Sequence, residues 1–267
     1  MSLGDAERRA AADELAAAYT SREPVEPLVA RHPDMTLDDA YAVQTEQLRR
    51  RLEDGRVIWG HKVGLTSPAM QRQMKVDQPD FGYLLDDMFC AEHDEVPIDR
   101  FLQPRVEPEI AFLLKRDLMG PGVTVAQAAS AVEFVLPAIE IIDSRIRDWR
   151  ISIVDTIADN ASSGGVVLGA RAVPLDRFDL RLMGCVVTRA GRVLETGAGA
   201  AVLGNPLLGL AWLANTLGPR GRGLLAGEVV MPGSLTASIP VGPKDAITVE
   251  FAGLGNVTAR FSGEPTA

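Results

Sequence analysis

Glu107-Pro108-Glu109, followed by the apolar run Ile110–Leu114, is the sharpest chemical feature of this sequence. On an extended segment side chains alternate between faces, so residues two apart point the same way. Two carboxylates would then sit side by side at the mouth of an apolar strand. Like charges that close repel, and one takes up a proton unless a cation intervenes. The competing reading is a solvated strand end. Glu140 shifts the balance, because it interrupts Phe134–Ile139 and Ile141-Ile142, a run that otherwise reads as buried. An ionised carboxylate there is costly unless it is paired or metal-bound. A salt bridge would call on Arg145 or Arg105. A metal would be Mg2+ or Mn2+, since three carboxylates without histidine form a hard, oxygen-only ligand set.

Three further residues have chemistry available. Lys62 lies in the glycine-flanked stretch Gly60-His-Lys-Val-Gly-Leu-Thr-Ser67 beside an expected strand, Val57–Trp59. A lysine drawn into a site can carry protons or stabilise charge, although a lone lysine is ordinarily solvated. Asp80 and Ser162 fall in loop-like sequence, where Asp and Ser are common turn residues. Gly197-Ala-Gly199 is not a dinucleotide fingerprint, because Val202 stands where the third glycine would fall and no helix opens there. No phosphate-binding loop or nucleophile elbow is present.

The elements that must position these residues divide into two stretches. Residues 1–56 read as a helical section without chemistry of its own. Alanine-rich residues 6–19 favour a helix, Ser21–Pro27 breaks it, and Thr36-Leu-Asp-Asp39 resembles a capping box that opens a second helix. Leu37, Tyr41, Leu48 and Leu52 fall on one face of that helix, and Gly55 is placed to end it. Residues 57–267 read as a β-rich core. Ile110–Leu114 and Val135–Ile142 are expected strands, with helices from Thr124 to about Glu133 and from the Asn205 cap to Gly218-Pro219. Ile247, Val249 and Phe251, a Gly253–Gly255 turn, and Val257, Ala259 and Phe261 spell a hairpin.

The 267 residues carry a net charge of −9, with Lys and Arg scattered among acids, which argues against a nucleic-acid footprint. No apolar run reaches the length expected of a membrane span. The alanine-rich, charged start has no apolar core of a secretory signal, so a cytoplasmic address is expected. Cys90 and Cys185 are expected to be free thiols.

Together these motifs resemble the 2-oxopent-4-enoate (2-hydroxypentadienoate) hydratase family, within the wider fumarylacetoacetate-hydrolase-like group. The resemblance spans nearly the whole chain. It rests on the Gly60–Ser67 stretch, Asp77-Gln-Pro-Asp-Phe-Gly82, Gln103-Pro-Arg-Val-Glu-Pro-Glu-Ile110, Asp143-Ser-Arg-Ile-Arg-Asp-Trp149, Val154-Asp-Thr-Ile-Ala-Asp-Asn-Ala-Ser162 and Gly197-Ala-Gly-Ala-Ala-Val-Leu-Gly204. It implies an α+β fold, a mixed β-roll or β-sandwich core with packed helices and an N-terminal helical extension, assembled as a homo-oligomer. It also implies that Glu107, Glu109 and Glu140 are metal ligands, that Lys62 and Asp80 handle protons, and that Ser162 lies near substrate. A 2-oxo acid offers two adjacent oxygens to a metal held by three glutamates, and the metal acts as a Lewis acid. The expected reaction is ketonisation of a dienol followed by conjugate addition of water, giving a 4-hydroxy-2-oxo acid.

A 4-oxalocrotonate-type decarboxylase would use the same scaffold and metal chemistry, and Gly197–Gly204 is common to both branches. Gln78-Pro-Asp-Phe81 and Arg145-Ile-Arg-Asp-Trp149 look like the hydratase branch. The wider group's C–C bond hydrolases match only loosely. A non-catalytic subunit associated with a pathway decarboxylase is a third reading, opposed by retention of every carboxylate together with Lys62 and Asp80.

Overall fold

A computed structural model describes residues 2–67, 71, 72, 76 and 78–263. In chain order its helices are α1 (Asp5–Ser21), α2 (Leu28–Arg31), α3 (Leu37–Glu53), α4 (Val125–Ala131), α5 (Ile153–Ala158) and α6 (Pro206–Leu217). Its strands are β1 (Ile58–Gly64), β2 (Asp80–Leu85), β3 (Phe89–Ala91), β4 (Glu95–Val96), β5 (Pro104–Leu114), β6 (Val132–Asp143) and β7 (Ser163–Leu168). They continue with β8 (Gly184–Arg189), β9 (Arg192–Ala198), β10 (Val229–Met231), β11 (Ile239–Pro240), β12 (Ala246–Phe251) and β13 (Gly255–Phe261).

The helical start forms as its sequence dictates. Thr36 caps α3, its hydroxyl accepting from the Asp39 N–H at 3.2 Å while the Asp39 carboxylate accepts from the Thr36 N–H at 3.0 Å. The buried face of α3 is Ala40, Val43, Gln44 and Leu48, whereas Leu52, expected on that face, is exposed. The face turns because α3 packs between α1 and α5, so its central residues meet protein and its last turn does not. Ala12, Leu15, Leu28 and Val43 share a separate apolar cluster with Ile146, Ile157 and Ala158. Gly55, at φ +85°, ends the segment in the left-handed conformation that glycine adopts without penalty.

The strands among the described residues form two sheets. The larger has the order β2-β1-β10-β5-β6-β7-β3, with β11 added to β5, and it curls until β2 meets β7. In the antiparallel β5–β6 pair, Glu107 stands opposite Glu140 and Glu109 opposite Ala138. One face of this pair, with Val106, Ile110, Phe112, Ile139 and Ile141, enters the main core. The other face carries the glutamates beside an apolar patch of Ala111, Ala138, Val166, Val229 and Met231. The smaller sheet, β4-β13-β12-β8-β9, includes the expected β12–β13 hairpin, with Ile247, Val249, Val257 and Ala259 all buried. Its β8–β9 hairpin was not foreseen, since half-exposed β9 lacks a clear apolar alternation.

Helix α4 is shorter than expected, because β6 takes up the chain from Val132. Helix α6 has the foreseen Asn205 cap, whose Oδ1 accepts from the Leu207 N–H at 3.0 Å, and Pro206 in its first turn. With its flanking turns, Gly199–Arg220 has the length and apolar composition of a membrane span, a stretch the sequence reading did not single out. The regular helix is only 12 residues, however, and Leu210, Leu213, Ala214 and Leu217 are buried in the core.

Candidate active site

The site is assembled where β1, β2, β5 and β6 face one another inside the curl. Alternation along β5 puts Glu107 and Glu109 on one face, and pairing with β6 sets Glu140 opposite Glu107. One carboxylate oxygen from each residue lies within 4.8 Å of the others. Glu109 and Glu140 are fully buried and Glu107 is partly so. Glu109 Oε2 accepts from the Gly233 N–H at 2.8 Å, which fixes its orientation. Glu109 Oε1 and Glu140 Oε2 have no polar partner among the described residues, and Glu140 Oε1 has only the Lys62 ammonium, at ion-pair distance.

Neither arginine weighed as a partner neutralises Glu140. Arg145 pairs with Asp159, while Arg105 lies over the Trp149 ring at 5.3 Å and donates to Ser238 Oγ at 3.3 Å. Instead Lys62, carried in from β1, places Nζ 3.3 Å from Glu140 Oε1 and donates to the Ala161 carbonyl at 2.9 Å. Lys62 is therefore no solvated surface group; it is only 3% exposed.

Asp80 also departs from the loop expected of it. It opens β2, lies opposite Gly64 and is 1% exposed. A Cβ on Gly64 would stand 2.2 Å from Asp80 Oδ1, so the second glycine of the Gly60–Gly64 stretch is what admits this carboxylate. Asp80 Oδ2 accepts from Thr156 Oγ1 at 3.1 Å, and Oδ1 has no hydrogen-bond partner among the described residues. Ser162 does sit in a turn, buried, with its hydroxyl donating to Asp159 Oδ2 at 3.4 Å. Asp77, in the same quoted motif as Asp80, lies outside the described residues.

The electrostatics follow from burying four acids around one base. Burial pushes all three glutamates up: Glu107 reaches about 7, with Lys62 pulling against Glu140 and Asp80. Glu109 is raised well above its ordinary value by burial and then by Glu140 and Glu107. Glu140 is raised by burial against the pull of Lys62. Asp80 is raised by burial, again opposed by Lys62. For Lys62 burial favours the neutral amine, but Glu140, Asp80, Glu107 and Glu109 outweigh it and hold the ammonium form. One ammonium cannot balance this many carboxylates. The surplus charge, the orphaned oxygens and the all-oxygen donor set fit a hard divalent cation.

Sequence reasoning missed four contributors: Gly233 on Glu109, Thr156 on Asp80, the Ala161 carbonyl on Lys62, and the Arg145–Asp159 pair behind that carbonyl. Only the last had a signal, as charged residues beside apolar stretches demand partners. The others are backbone groups or a hydroxyl, which any sequence supplies in quantity.

A curled mixed sheet with a helical extension and an acidic inner face defines the fumarylacetoacetate-hydrolase-like architecture. Residues 58–262 match the fumarylacetoacetate (FAA) hydrolase C-terminal family, and the chain belongs to that family. It is 44% identical over 255 residues to 2-keto-4-pentenoate hydratase of Paraburkholderia xenovorans (strain LB400), covering 96% of this chain and 95% of that one. It is 51% identical over 207 residues to 2-hydroxypent-2,4-dienoate hydratase of Pseudomonas putida, covering 77% and 93%. Among solved structures, 4-oxalocrotonate decarboxylase from Pseudomonas putida G7, complexed with magnesium and adipate, superposes with a TM-score of 0.94. That relative shares 40% identity, covering 97% of this chain and 98% of that one.

Proposed function

We propose that this chain is a divalent-metal-dependent hydro-lyase of aromatic meta-cleavage catabolism. It adds water to 2-hydroxypenta-2,4-dienoate (2-oxopent-4-enoate) to give 4-hydroxy-2-oxopentanoate. The observation that carries this is the Glu107–Glu109–Glu140 cluster, with its unpartnered oxygens, beside a buried lysine. Its likeness to named hydratases over nearly the full chain supplies the substrate class.

Glu107, Glu109 and Glu140 would hold Mg2+ or Mn2+, which when bound supplies Lewis-acid stabilisation of negative charge on the keto oxygen of a 2-oxo acid. A relative's complex with magnesium supports that assignment. Gly233 keeps the Glu109 carboxylate turned into the site. Lys62 holds its proton at Nζ, within the buried cluster, and Asp80 presents an unpartnered Oδ1 beside it; these two groups move the proton in ketonisation. The dienol hydroxyl loses a proton as the terminal carbon gains one, giving a conjugated enone. Water then adds its oxygen to the carbon β to the keto carbonyl and its proton to the α carbon, giving the 4-hydroxy-2-oxo acid. Ser162, whose hydroxyl donates to Asp159 Oδ2 at 3.4 Å, is assigned to the substrate side on the motif resemblance.

The same reading takes residues 1–56 as a helical section and 57–267 as the catalytic core, the two forming one compact unit, since the apolar cluster under α1 and α3 includes Ile146, Ile157 and Ala158. It takes the protein as a cytoplasmic homo-oligomer able to associate with a pathway decarboxylase. Decarboxylation is the second reading, favoured by the TM-score of 0.94 to a 4-oxalocrotonate decarboxylase.

The deciding experiment follows ultraviolet absorbance of 2-hydroxypentadienoate, and separately of 4-oxalocrotonate, with purified protein and Mg2+. Loss of the dienol signal with formation of the 4-hydroxy-2-oxo acid and no carbon dioxide is the expected result. Carbon dioxide release from the dicarboxylate would move the assignment to decarboxylase. No change with either, from folded metal-bound protein, would leave only a binding role.

A further inference from the structure

Asn160, Ala161 and Ser162 are three consecutive non-glycine residues in the left-handed region, at φ 52°, 51° and 54°. Each such residue is disfavoured, and a run of three persists only where surrounding contacts over-determine it. Here they do. Asp159, immediately before the turn, accepts from the Arg145 side chain through both its carboxylate and its carbonyl. Its Oδ2 also accepts from the Arg145 N–H at 3.0 Å, from Ser144 Oγ at 3.3 Å and from Ser162 Oγ at 3.4 Å. Arg145 is itself held by Tyr19, donating from Nη1 to the phenol oxygen at 3.0 Å. On the far side, Asn160 bonds the Tyr83 backbone both ways, accepting from its N–H at 2.9 Å and donating to its carbonyl at 3.0 Å. The turn also presses on β2 at Gly82, where a Cβ would meet Asn160 O at 2.4 Å.

All of these contacts converge on the presentation of one group, the Ala161 carbonyl that receives the Lys62 ammonium at 2.9 Å. We propose that Asp159 and Arg145 are positioning residues, which hold the Asn160–Ser162 turn left-handed so that its carbonyl aims Lys62 at Glu140. Neither touches the carboxylate cluster; they act on it through the turn. A buried ion pair is weak evidence of a stabilising role, since apolar residues of similar shape often serve stability as well. The geometry gives this pair a different purpose. The proposal rests on the reading of Lys62 as the proton-handling group, but its test includes Lys62 exchange, which is read without turnover.

Lysine occurs at only four positions, Lys62, Lys75, Lys115 and Lys244, so a 15N-lysine spectrum of the full chain is simple, and Lys62→Arg assigns the Lys62 signal. In the wild type, the Lys62 Nζ protons are expected to exchange with water at least roughly tenfold more slowly than those of exposed Lys115 and Lys244. In Asp159→Asn, shown by its amide spectrum to be folded, that protection should fall roughly tenfold. The kcat should fall by a similar factor with KM within about twofold, because proton handling and not substrate contact is disturbed. Adding Ala161→Gly, which removes the left-handed penalty at the central position, should restore part of both. Folded Asp159→Asn that keeps full Lys62 protection would overturn the proposal, as would failure of the glycine to restore any. Should Asp159→Asn not fold, Tyr19→Phe removes the shorter of two hydrogen bonds from Arg145 Nη1, leaving the 3.5 Å one to the Ser163 carbonyl, and it must measurably speed Lys62 exchange for the proposal to stand. If no form of the protein hydrates the dienoate while these exchange effects appear, the functional reading fails and the positioning does not.

Discussion

Lys62 Nζ stands 3.3 Å from Glu140 Oε1, although β10 and β5 separate their strands in the sheet. Only curling of the sheet brings the two together. The pair gives the site its character: a fixed ammonium beside a carboxylate whose other oxygen, Oε2, is left to offer a metal. Breaking a buried pair on one side leaves an uncompensated charge, so neither residue can be changed without disturbing the other.

Glu109→Gln separates metal binding from folding. The amide oxygen can still accept from the Gly233 N–H, and one of three mutually repelling acids is gone. The metal-free variant should therefore be at least as stable as wild type in a thermal melt. Its Mg2+ affinity by titration calorimetry should drop by roughly 10- to 100-fold or more, the scale of loss known for disturbed metal-site partners, and hydration should fall with it. Near-normal affinity would count against the ligand assignment.

Stability without metal should fall as pH rises. Glu107 is pushed up to about 7, and Glu109 and Glu140 are raised too, by burial first and then by one another. A raised acid holds in the folded state a proton that the unfolded chain has released. Its stabilising contribution is thus complete below the ordinary glutamate range and lost as pH climbs through about 7. Thermal melts across that window should show a declining midpoint for metal-free protein. The gain from saturating Mg2+ should grow over the same interval, since the cation takes the deprotonated form. A metal-induced gain independent of pH would contradict this account.

Gly64→Ala tests the seat of Asp80. The new methyl would stand 2.2 Å from Asp80 Oδ1, so the carboxylate has to move. Turnover is expected to fall roughly 100-fold, within the range for loss of a proton-handling group, at a stability cost of about 1–3 kcal/mol for overpacking. Mg2+ affinity should stay within a few-fold of wild type. An unaltered rate would remove Asp80 from the mechanism.

Asp39→Asn probes the helical start far from the chemistry. The Asp39 carboxylate is buried and accepts from Ser2 Oγ at 2.7 Å, Leu3 N at 3.2 Å and Arg8 Nη2 at 2.7 Å, besides capping α3 through Thr36. An amide offers one acceptor where two are used and has no charge for Arg8. A loss of about 2–3 kcal/mol in denaturant unfolding is expected, with kcat and metal affinity nearly unchanged at temperatures where the variant is folded. A large change in kcat under those conditions would show that the helices do more than brace α5.

By itself the sequence determined whatever depends on local periodicity and capping. The spacing of Glu107 and Glu109 already put them on one face, Glu140 in an apolar run already demanded a counter-charge, and Thr36, Asn205 and the Gly253–Gly255 turn already marked their elements. The motif resemblance drew Lys62, Asp80 and Ser162 into consideration. Tertiary structure alone decided that the partner of Glu140 is Lys62 and not Arg145 or Arg105, and that Asp80 opens a buried strand. It also decided that Arg145 serves Asp159 behind a left-handed turn. The reason is physical: periodicity fixes which way a side chain points from its own element, whereas ion pairing depends on how far the sheet curls, and that is set by packing among residues distant in the chain.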